Sequence, residues 1–227
     1  MKEKIKALLQ LFPQSYSEEL GIDLKFKGPS EIFKWFLASI LFAHRIPENI
    51  AKSTFKEFEK EGVITPEKIL STGWEGLVSI LDAGKYVRYD FSTASTLLDI
   101  MKKLKEKYGS LDNLSRQAKN QKELEEKLQE FKRVGPTTVN IFLRELRDIW
   151  DVDPLPSKFT IVAGSNLGLV KSKSPTKVLE ELKEIWEKNK IKNKTFVNFE
   201  TALLRLGKNY CLKNKCKICN LKQFCKK

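Results

Sequence analysis

Hydrophobic residues recur three and four positions apart along most of the chain, the spacing that places them on one face of an α-helix. This pattern predicts helices over eight segments: 2–11, 31–44, 48–60, 93–108, 121–131, 138–147, 176–189 and 197–207. The alternation typical of strands is nearly absent. Turn-forming residues separate the segments, and Pro154 and Pro156 mark a joint before a C-terminal unit. We therefore expect an all-α fold in two parts.

The segment 31–46 is apolar on nearly every side. A helix without a polar face belongs in the middle of a domain, where every side packs on other elements. Its aromatic residues Trp35, Phe36 and Phe42 are therefore expected in the core and not at a binding site.

Charge adds the first functional indication. The chain has 42 Lys and Arg against 29 Asp and Glu among 227 residues, a net charge of +13. An excess of this size favours a polyanionic partner, most often nucleic acid, although a lysine-rich, heat-adapted composition is the alternative. No apolar run is long enough for a membrane span, and the N-terminal run is too short for a signal peptide, so a cytoplasmic protein is expected.

Four cysteines lie together near the end of the sequence, with the spacing C-x4-C-x2-C-x5-C. They are Cys211, Cys216, Cys219 and Cys225. Clustered cysteines in a cytosolic chain indicate metal, and the six lysines of 211–227, without an acid, favour thiolates and an anionic cluster. We expect a [4Fe–4S] cluster, with zinc or free thiols as the alternatives. His44 is the one histidine, which excludes histidine-rich zinc sites.

A second motif is the stretch LQEFKRVGPTTVNIFLREL over 128–146. A helix is expected to stop at Phe131, a tight turn to follow, and a second helix to begin near Thr138. Gly135 is expected to free the backbone for the turn, so that turn amides and the second helix's N-terminus can bind a phosphate. The further donors are Lys132, Arg133, Val134 through its amide, Thr137 and Thr138. An ordinary helical corner is the alternative.

This hairpin, followed some 75 residues later by the four-cysteine tail, resembles the helix-hairpin-helix (HhH-GPD) DNA glycosylases of the endonuclease III family. Arg133 stands at the first glycine of the family's Leu-x-Gly-Val-Gly turn. In ILFAHRIPENIAKS (40–53), His44 stands where the family has a glutamine that fills the gap left by a flipped base. The segments 84–94 and 196–211 resemble the family's base-contact loop and the helix that leads to its iron–sulfur loop.

The resemblance implies a six-helix barrel carrying the helix-hairpin-helix over 31–145. It implies a discontinuous helical iron–sulfur domain over 1–30 and 146–227. In the base-contact loop, Tyr86, Arg88, Tyr89 and Phe91 are candidates for contact with an opened base, and a surface loop with buried aromatics is the alternative. The first cysteine interval is two residues shorter than the family's, and its Lys213 and Lys215 resemble a phosphate contact.

The departures from the family concern the chemistry. Thr137 stands where bifunctional relatives have a Schiff-base lysine, so the family's lyase route is not supported. The family's catalytic aspartate falls on Leu155 or, in another register, on Ser157. Asp153 lies just upstream and is the candidate catalytic group, with Asp151, or no acid at all, as alternatives.

The sequence therefore predicts a DNA base-excision-repair enzyme, a DNA N-glycosylase acting on a damaged or mismatched base without lyase activity. The rival interpretations are a non-catalytic binder of distorted or abasic DNA, and an abasic-site lyase or endonuclease using another lysine. Its expected partner is double-stranded DNA with a lesion or abasic site. We expect a nucleoid-associated monomer without membrane contact.

Overall fold

The computed structural model describes residues 1–25 and 28–226, and within these ranges the chain forms helices and turns without a strand. The expected all-α class is confirmed. In chain order, the helices are α1 (Lys2–Leu11), α2 (Tyr16–Leu20), α3 (Pro29–Ala43), α4 (Glu48–Lys60), α5 (Pro66–Ala83), α6 (Asp90–Lys103), α7 (Leu111–Arg116), α8 (Gln121–Gln129), α9 (Pro136–Arg144), α10 (Arg147–Trp150), α11 (Lys158–Asn166), α12 (Pro175–Asn189) and α13 (Phe196–Leu206). Wider π turns follow two of them, Leu104–Tyr108 after α6 and Gly207–Cys211 after α13.

The chain forms two compact units. One is Leu20–Asp153, and the other combines Met1–Glu19 with Pro154–Lys227. The boundary between the two units after Asp153 coincides with the joint that the two prolines mark in the sequence. The predicted domains, 31–145 and 1–30 with 146–227, have other boundaries and stay a prediction about folding units. None of the helices in the described part of the chain has the length and hydropathy needed to cross a membrane.

Helix α3 is the centre of the unit Leu20–Asp153. Trp35 and Phe36 are fully buried, as the apolar segment predicts. The indole N–H of Trp35 donates to the carbonyl oxygen of Phe142 in α9, at 3.0 Å, and the Phe36 ring packs edge-on against Phe142 at 5.1 Å. The buried helix thereby fixes α9, the second helix of the predicted hairpin.

Helix α13 is the centre of the other unit, as α3 is of the first. Its Phe199 and Leu203 are fully buried with Ile5 and Leu8 of α1, and Trp186 of α12 stacks on Phe199 at 5.5 Å. The helix begins at a capping box between Thr195 and Asn198 and continues into the π turn Gly207–Cys211. The first cysteine therefore stands at the end of a rigid element.

Two helices of nine residues or more, α5 and α11, were not predicted. Helix α5 contains Ser71, Thr72, Gly73 and Gly76, and it is interrupted at Gly73, whose φ of 69° is left-handed. Helix α11 is rich in β-branched residues and glycine, which are poor helix formers. Both helices exist because they pack on neighbours, α5 on α6 and α11 on α13, and packing overrides weak local propensity.

Candidate functional site

The predicted hairpin is present as α8, a turn over 130–135 and α9. Phe131 and Val134 are buried and anchor the turn, and the Val134 N–H donates to the Phe131 carbonyl oxygen at 3.0 Å. Lys132 and Arg133, between these anchors, are exposed. The sequence therefore places two cations at the exposed tip of a turn whose buried residues hold it in position.

The backbone of the turn differs from the expectation. Gly135 has φ −97° and ψ −177°, an extended conformation open to any residue, and a Cβ there would meet nothing within 4 Å. The left-handed residue is Arg133, with φ 61°. The prediction that Gly135 frees the turn is wrong, because the reversal of the chain occurs two residues earlier.

The N-terminus of α9 faces the exposed side of the turn. Pro136 is its first residue, and the amides of the first turn of a helix have no partner within the helix. Thr137 is exposed, whereas the side chain of Thr138 is buried, which leaves the Thr138 amide as its available donor. The predicted phosphate contact through the Val134 amide is not available, because that N–H already donates to Phe131. This end of α9 can receive an anion through backbone N–H groups.

The two cations of the turn differ in their partners. Lys132 forms an ion pair with Asp99 of α6, and both side chains are exposed. Arg133 instead donates from Nη1 to the Ser92 carbonyl oxygen at 3.5 Å, a long contact. Ser92 belongs to the first turn of α6, so Arg133 connects the hairpin to the segment predicted to contact a base.

A group of rings, which we call the ring cluster, occupies that segment. His44 packs against Tyr89 at 4.9 Å between centroids and edge-on against Tyr86 at 6.0 Å. The Arg88 guanidinium lies 5.3 Å from the centre of the Tyr89 ring. His44 and Tyr89 are partly exposed and Arg88 is exposed, so these predicted contacts are accessible.

Tyr86 requires a correction. It is fully buried and donates its hydroxyl to the Leu41 carbonyl oxygen at 2.8 Å. Burial, and to a lesser degree Tyr89, raises the pKa of its hydroxyl, which therefore stays protonated. Tyr86 fastens the loop to α3 and has no face free for a base.

His44 stays neutral at ordinary pH. Burial lowers its pKa from 6.5, and the positive charge of Arg133 lowers the pKa further. The guanidinium that contacts Ser92 at 3.5 Å is thus linked to the ring cluster through its charge.

Trp74 is a further exposed aromatic residue, and it was not predicted because its helix α5 was not predicted. Trp74 is 41% exposed and packs on Phe91, which is 59% exposed, with 5.3 Å between ring centroids. Its indole N–H donates to Ser95 Oγ at 3.0 Å, which fixes the ring. Phe91 is one of the predicted base contacts, and the structure adds Trp74 beside it.

Asp153 lies just after α10 and is held at two points. Its carboxylate accepts from Arg147 Nη1 at 3.3 Å, and its N–H donates to Gln121 Oε1 at 2.6 Å. The Asp153 side chain is 54% exposed, while that of Arg147 is 4% exposed. The arrangement presents a fixed carboxylate whose charge is partly offset by a buried guanidinium, and neither partner was foreseen.

The other two candidates for the acid position have structural roles. Asp151 ends α10 in the left-handed region, with φ 50°. Ser157 caps α11 by accepting the Thr160 N–H at 3.3 Å, and the two hydroxyls lie 3.1 Å apart.

All four cysteines are free thiols and line one cavity of about 40 Å³. Its wall also includes Asn166, Leu167, Leu206, Tyr210, Leu221 and Lys222. As they stand, no three Cys, His, Asp or Glu side chains within residues 1–25 and 28–226 converge closely enough to hold a metal ion. The donor set is four soft sulfur atoms around one space, which suits iron–sulfur or zinc chemistry.

Cys211 is the most constrained of the four. Burial raises the pKa of its thiol, a hydrogen bond from the Asn166 side chain acts in the opposite direction, and the other three cysteines raise the pKa further. The Asn166 carbonyl oxygen also accepts the N–H of Lys226 at 2.7 Å, next to Cys225. Asn166 therefore contacts both ends of the cysteine motif, and no pattern along the chain predicted it.

Lys213 and Lys215 are exposed in the short loop between the first two cysteines. Asn214, between them, is left-handed with φ 52°, so the loop turns back sharply toward Cys216. Both lysines are accessible to an anion.

No protein-family model and no curated protein sequence matches this chain. Solved structures do. An endonuclease III bound non-covalently to DNA is 17% identical, with a TM-score of 0.59 over 100% of this chain and 95% of that one. A 3-methyladenine DNA glycosylase of H. pylori, bound to 1,N6-ethenoadenine, is 14% identical, with a TM-score of 0.60 over 91% and 96%. A trapped covalent endonuclease III–DNA intermediate is 18% identical, with a TM-score of 0.56 over 100% and 96%. The chain therefore has the fold of the endonuclease III and 3-methyladenine DNA glycosylase structures, as the resemblance in its sequence implies.

Proposed function

We propose that this protein is a DNA glycosylase of base excision repair that acts on a damaged or mismatched base. The observation that carries the proposal is the juxtaposition, in one unit, of the hairpin and the ring cluster, which Arg133 connects. Amides at the start of α9 bind a phosphate without reading sequence. The exposed parts of His44 and Tyr89 offer ring faces to a base that has left the stack.

The similar structures support this assignment, since one contains endonuclease III on DNA and another a glycosylase with a modified base. The net charge of +13 supports a polyanionic partner. The exposed Lys213 and Lys215 provide a second contact for phosphate. A monomer bound to chromosomal DNA in the nucleoid is the expected state.

Asp153 is the proposed catalytic group. A carboxylate near the sugar stabilises the positive charge that develops at C1′ as the glycosidic bond breaks. Asp153→Asn keeps the size and removes the charge, so turnover should fall by about 10²-fold while DNA affinity is nearly unchanged. Asp148→Asn, an exposed aspartate of α10, is the matched control and should behave as wild type.

Thr137 defines the product. A threonine cannot form an imine with the opened sugar, so the abasic site should remain intact. The test is incubation with duplexes containing uracil, oxidised pyrimidines, 8-oxoguanine, alkylated purines or mismatches. Strand breaks should appear only when the product is treated with hot alkali, and borohydride should trap no covalent complex. Trapping would instead indicate a lyase that uses another lysine.

A second candidate is a binder of distorted or abasic DNA that leaves the glycosidic bond intact. The observation in its favour is the 3.3 Å contact from Arg147, which offsets the charge of Asp153. A wild-type protein that excises nothing from the full panel yet prefers an abasic duplex would establish this function and exclude the glycosylase.

We further propose that Cys211, Cys216, Cys219 and Cys225 hold a [4Fe–4S] cluster. Bound there, the cluster would cross-link the C-terminal segment and supply a one-electron redox centre. Asn166 positions the first cysteine, and Leu167, Leu206 and Leu221 shield the cavity from water. Protein purified without oxygen should contain about four irons and four sulfides per chain. Stoichiometric zinc without iron would contradict the cluster, and Cys216→Ser should lose iron.

A further inference from the structure

Arg133 occupies a backbone conformation that is unfavourable for an arginine. Its φ of 61° lies in the left-handed region, which glycine adopts without cost and side chains with a Cβ do not. A residue kept in such a conformation is a reason to look for a role of its side chain. The tip of an exposed turn gives no packing reason for an arginine.

The surroundings of Arg133 indicate what that role is. In the described part of the chain no carboxylate pairs with its guanidinium, whereas the charge of the neighbouring Lys132 is satisfied by Asp99. The guanidinium is exposed, contacts the Ser92 carbonyl oxygen and acts on His44. It therefore carries the uncompensated charge of the turn, at the point where the hairpin approaches the ring cluster.

We propose that Arg133 binds the phosphate of the nucleotide whose base meets His44 and Tyr89. A guanidinium offers two parallel N–H groups to a phosphate, a geometry that backbone amides at the start of α9 do not reproduce. Arg133 thus ties binding of the DNA backbone to recognition of one opened nucleotide. The inference rests on the proposed function, since it assumes that DNA lies on this face.

The experiment compares wild type with Arg133→Gly, Arg133→Lys and Arg116→Ala. Arg116 is an exposed arginine at the end of α7, so its removal controls for the loss of one charge. The probes are a fluorescent duplex with a tetrahydrofuran abasic analogue and the same duplex undamaged. Affinity is measured over a range of salt concentrations, and stability is followed by thermal unfolding.

We expect Arg133→Gly to bind the abasic duplex about 10-fold more weakly, with a log–log salt slope smaller by about 1. Its unfolding temperature should equal that of wild type or exceed it by about 2–4 °C, because glycine relieves the backbone. Arg133→Lys should keep most of the slope and lose the two-point contact. Arg116→Ala should bind within about two-fold of wild type.

His44 provides a readout that does not depend on DNA. It is the only histidine, so its ring resonances in a proton NMR titration are unambiguous. Arg133→Gly should raise the pKa of His44 in the free protein, because one of the two causes that lower it is removed.

The inference alone would be overturned if Arg133→Gly bound the abasic duplex as wild type does, or if it unfolded well below wild type. An unchanged pKa of His44 would show that the guanidinium is not beside the ring cluster and would also overturn it. If the wild-type protein binds neither duplex, the proposed function and this inference fall together.

Discussion

Gly207→Ala tests the packing that places the first cysteine. A Cβ at Gly207 would lie 2.6 Å from the carbonyl carbon and 2.9 Å from the Cα of Phe159 in α11, and still closer to its carbonyl oxygen. All three atoms are helix backbone, so no side-chain rotation relieves the overlap. Ordinary contact begins at 3.4 Å, so clearing the carbonyl carbon alone would separate α11 and the π turn by about 0.8 Å, and the nearer carbonyl oxygen requires a larger shift.

The cost follows from what that separation disturbs. Ala163, Phe199 and Leu203 are fully buried beside the crossing and would lose contacts. An added methyl group in a packed core costs about 1–3 kcal/mol or more, and a backbone overlap belongs at the upper end of that range. Alanine recovers about 0.5–1 kcal/mol of helix propensity over glycine. We expect a net loss of about 2–3 kcal/mol, or about 4–12 °C in unfolding temperature.

The assay is thermal unfolding followed by circular dichroism, together with the metal content of the purified variant. Gly135→Ala is the matched control, because Gly135 is extended and open, and its unfolding temperature should stay within about 2 °C of wild type. A Gly207→Ala protein that unfolds within the same margin would refute the close crossing of α11 and the π turn.

Three further predictions concern other parts of the molecule. Asn166→Ala should release iron to a chelator at least about 10-fold faster, because Cys211 loses the donor that orients it; Asn189→Ala, whose side chain bonds to Ile185 within α12 and does not line the cysteine cavity, should not. Wild type should lose stability as the pH falls below 6.5, since the unfolded state then binds a proton that the half-buried His44 resists, and His44→Gln should lose less in thermal unfolding. Thr195→Ala should remove the capping box of α13 at a cost of about 1 kcal/mol, or about 2–4 °C in unfolding temperature.

Each of these has a contradicting outcome. Equal rates of iron release from the two asparagine variants would show that Asn166 does not stabilise the cluster. Identical pH profiles for wild type and His44→Gln would show that His44 is not protected from protonation. An unchanged unfolding temperature for Thr195→Ala would show that α13 is held by packing alone.

Helices with a strong apolar period were predictable almost to the residue. The structure has α1 over Lys2–Leu11 and α4 over Glu48–Lys60, the same bounds as the predicted segments 2–11 and 48–60. Helix α11 was missed because its sequence favours other conformations and its stability comes from contacts with α13. Hydrophobic periodicity reflects the pattern within one segment, whereas a helix such as α11 depends on contacts with segments distant in the sequence.

In the candidate site, too, local features were predictable and features that depend on distant contacts were not. The cysteine motif and the hairpin are local patterns, and the sequence located both. Which residue of the turn is left-handed, Arg133 or Gly135, depends on how Phe131 is anchored below it. The burial of Tyr86 depends on a hydrogen bond to Leu41, 45 positions away. Neither fact is contained in the spacing of residues along the chain.

The π turn before Cys211 sets where the cysteine motif can vary in length. Its closing hydrogen bond runs from the Leu212 N–H to the Gly207 carbonyl oxygen, five residues back. A residue turns the chain by about 100° in an α-helix and by somewhat less in a π turn, so deleting one residue of Gly207–Cys211 would rotate the first thiol by roughly a quarter turn, away from the cavity. Between Cys211 and Cys216 the chain is an exposed loop, where a change of length moves no helix. Insertions and deletions should therefore be tolerated in the loop that follows the first cysteine and selected against in the π turn. The short first interval of this chain lies in that loop, where length can vary.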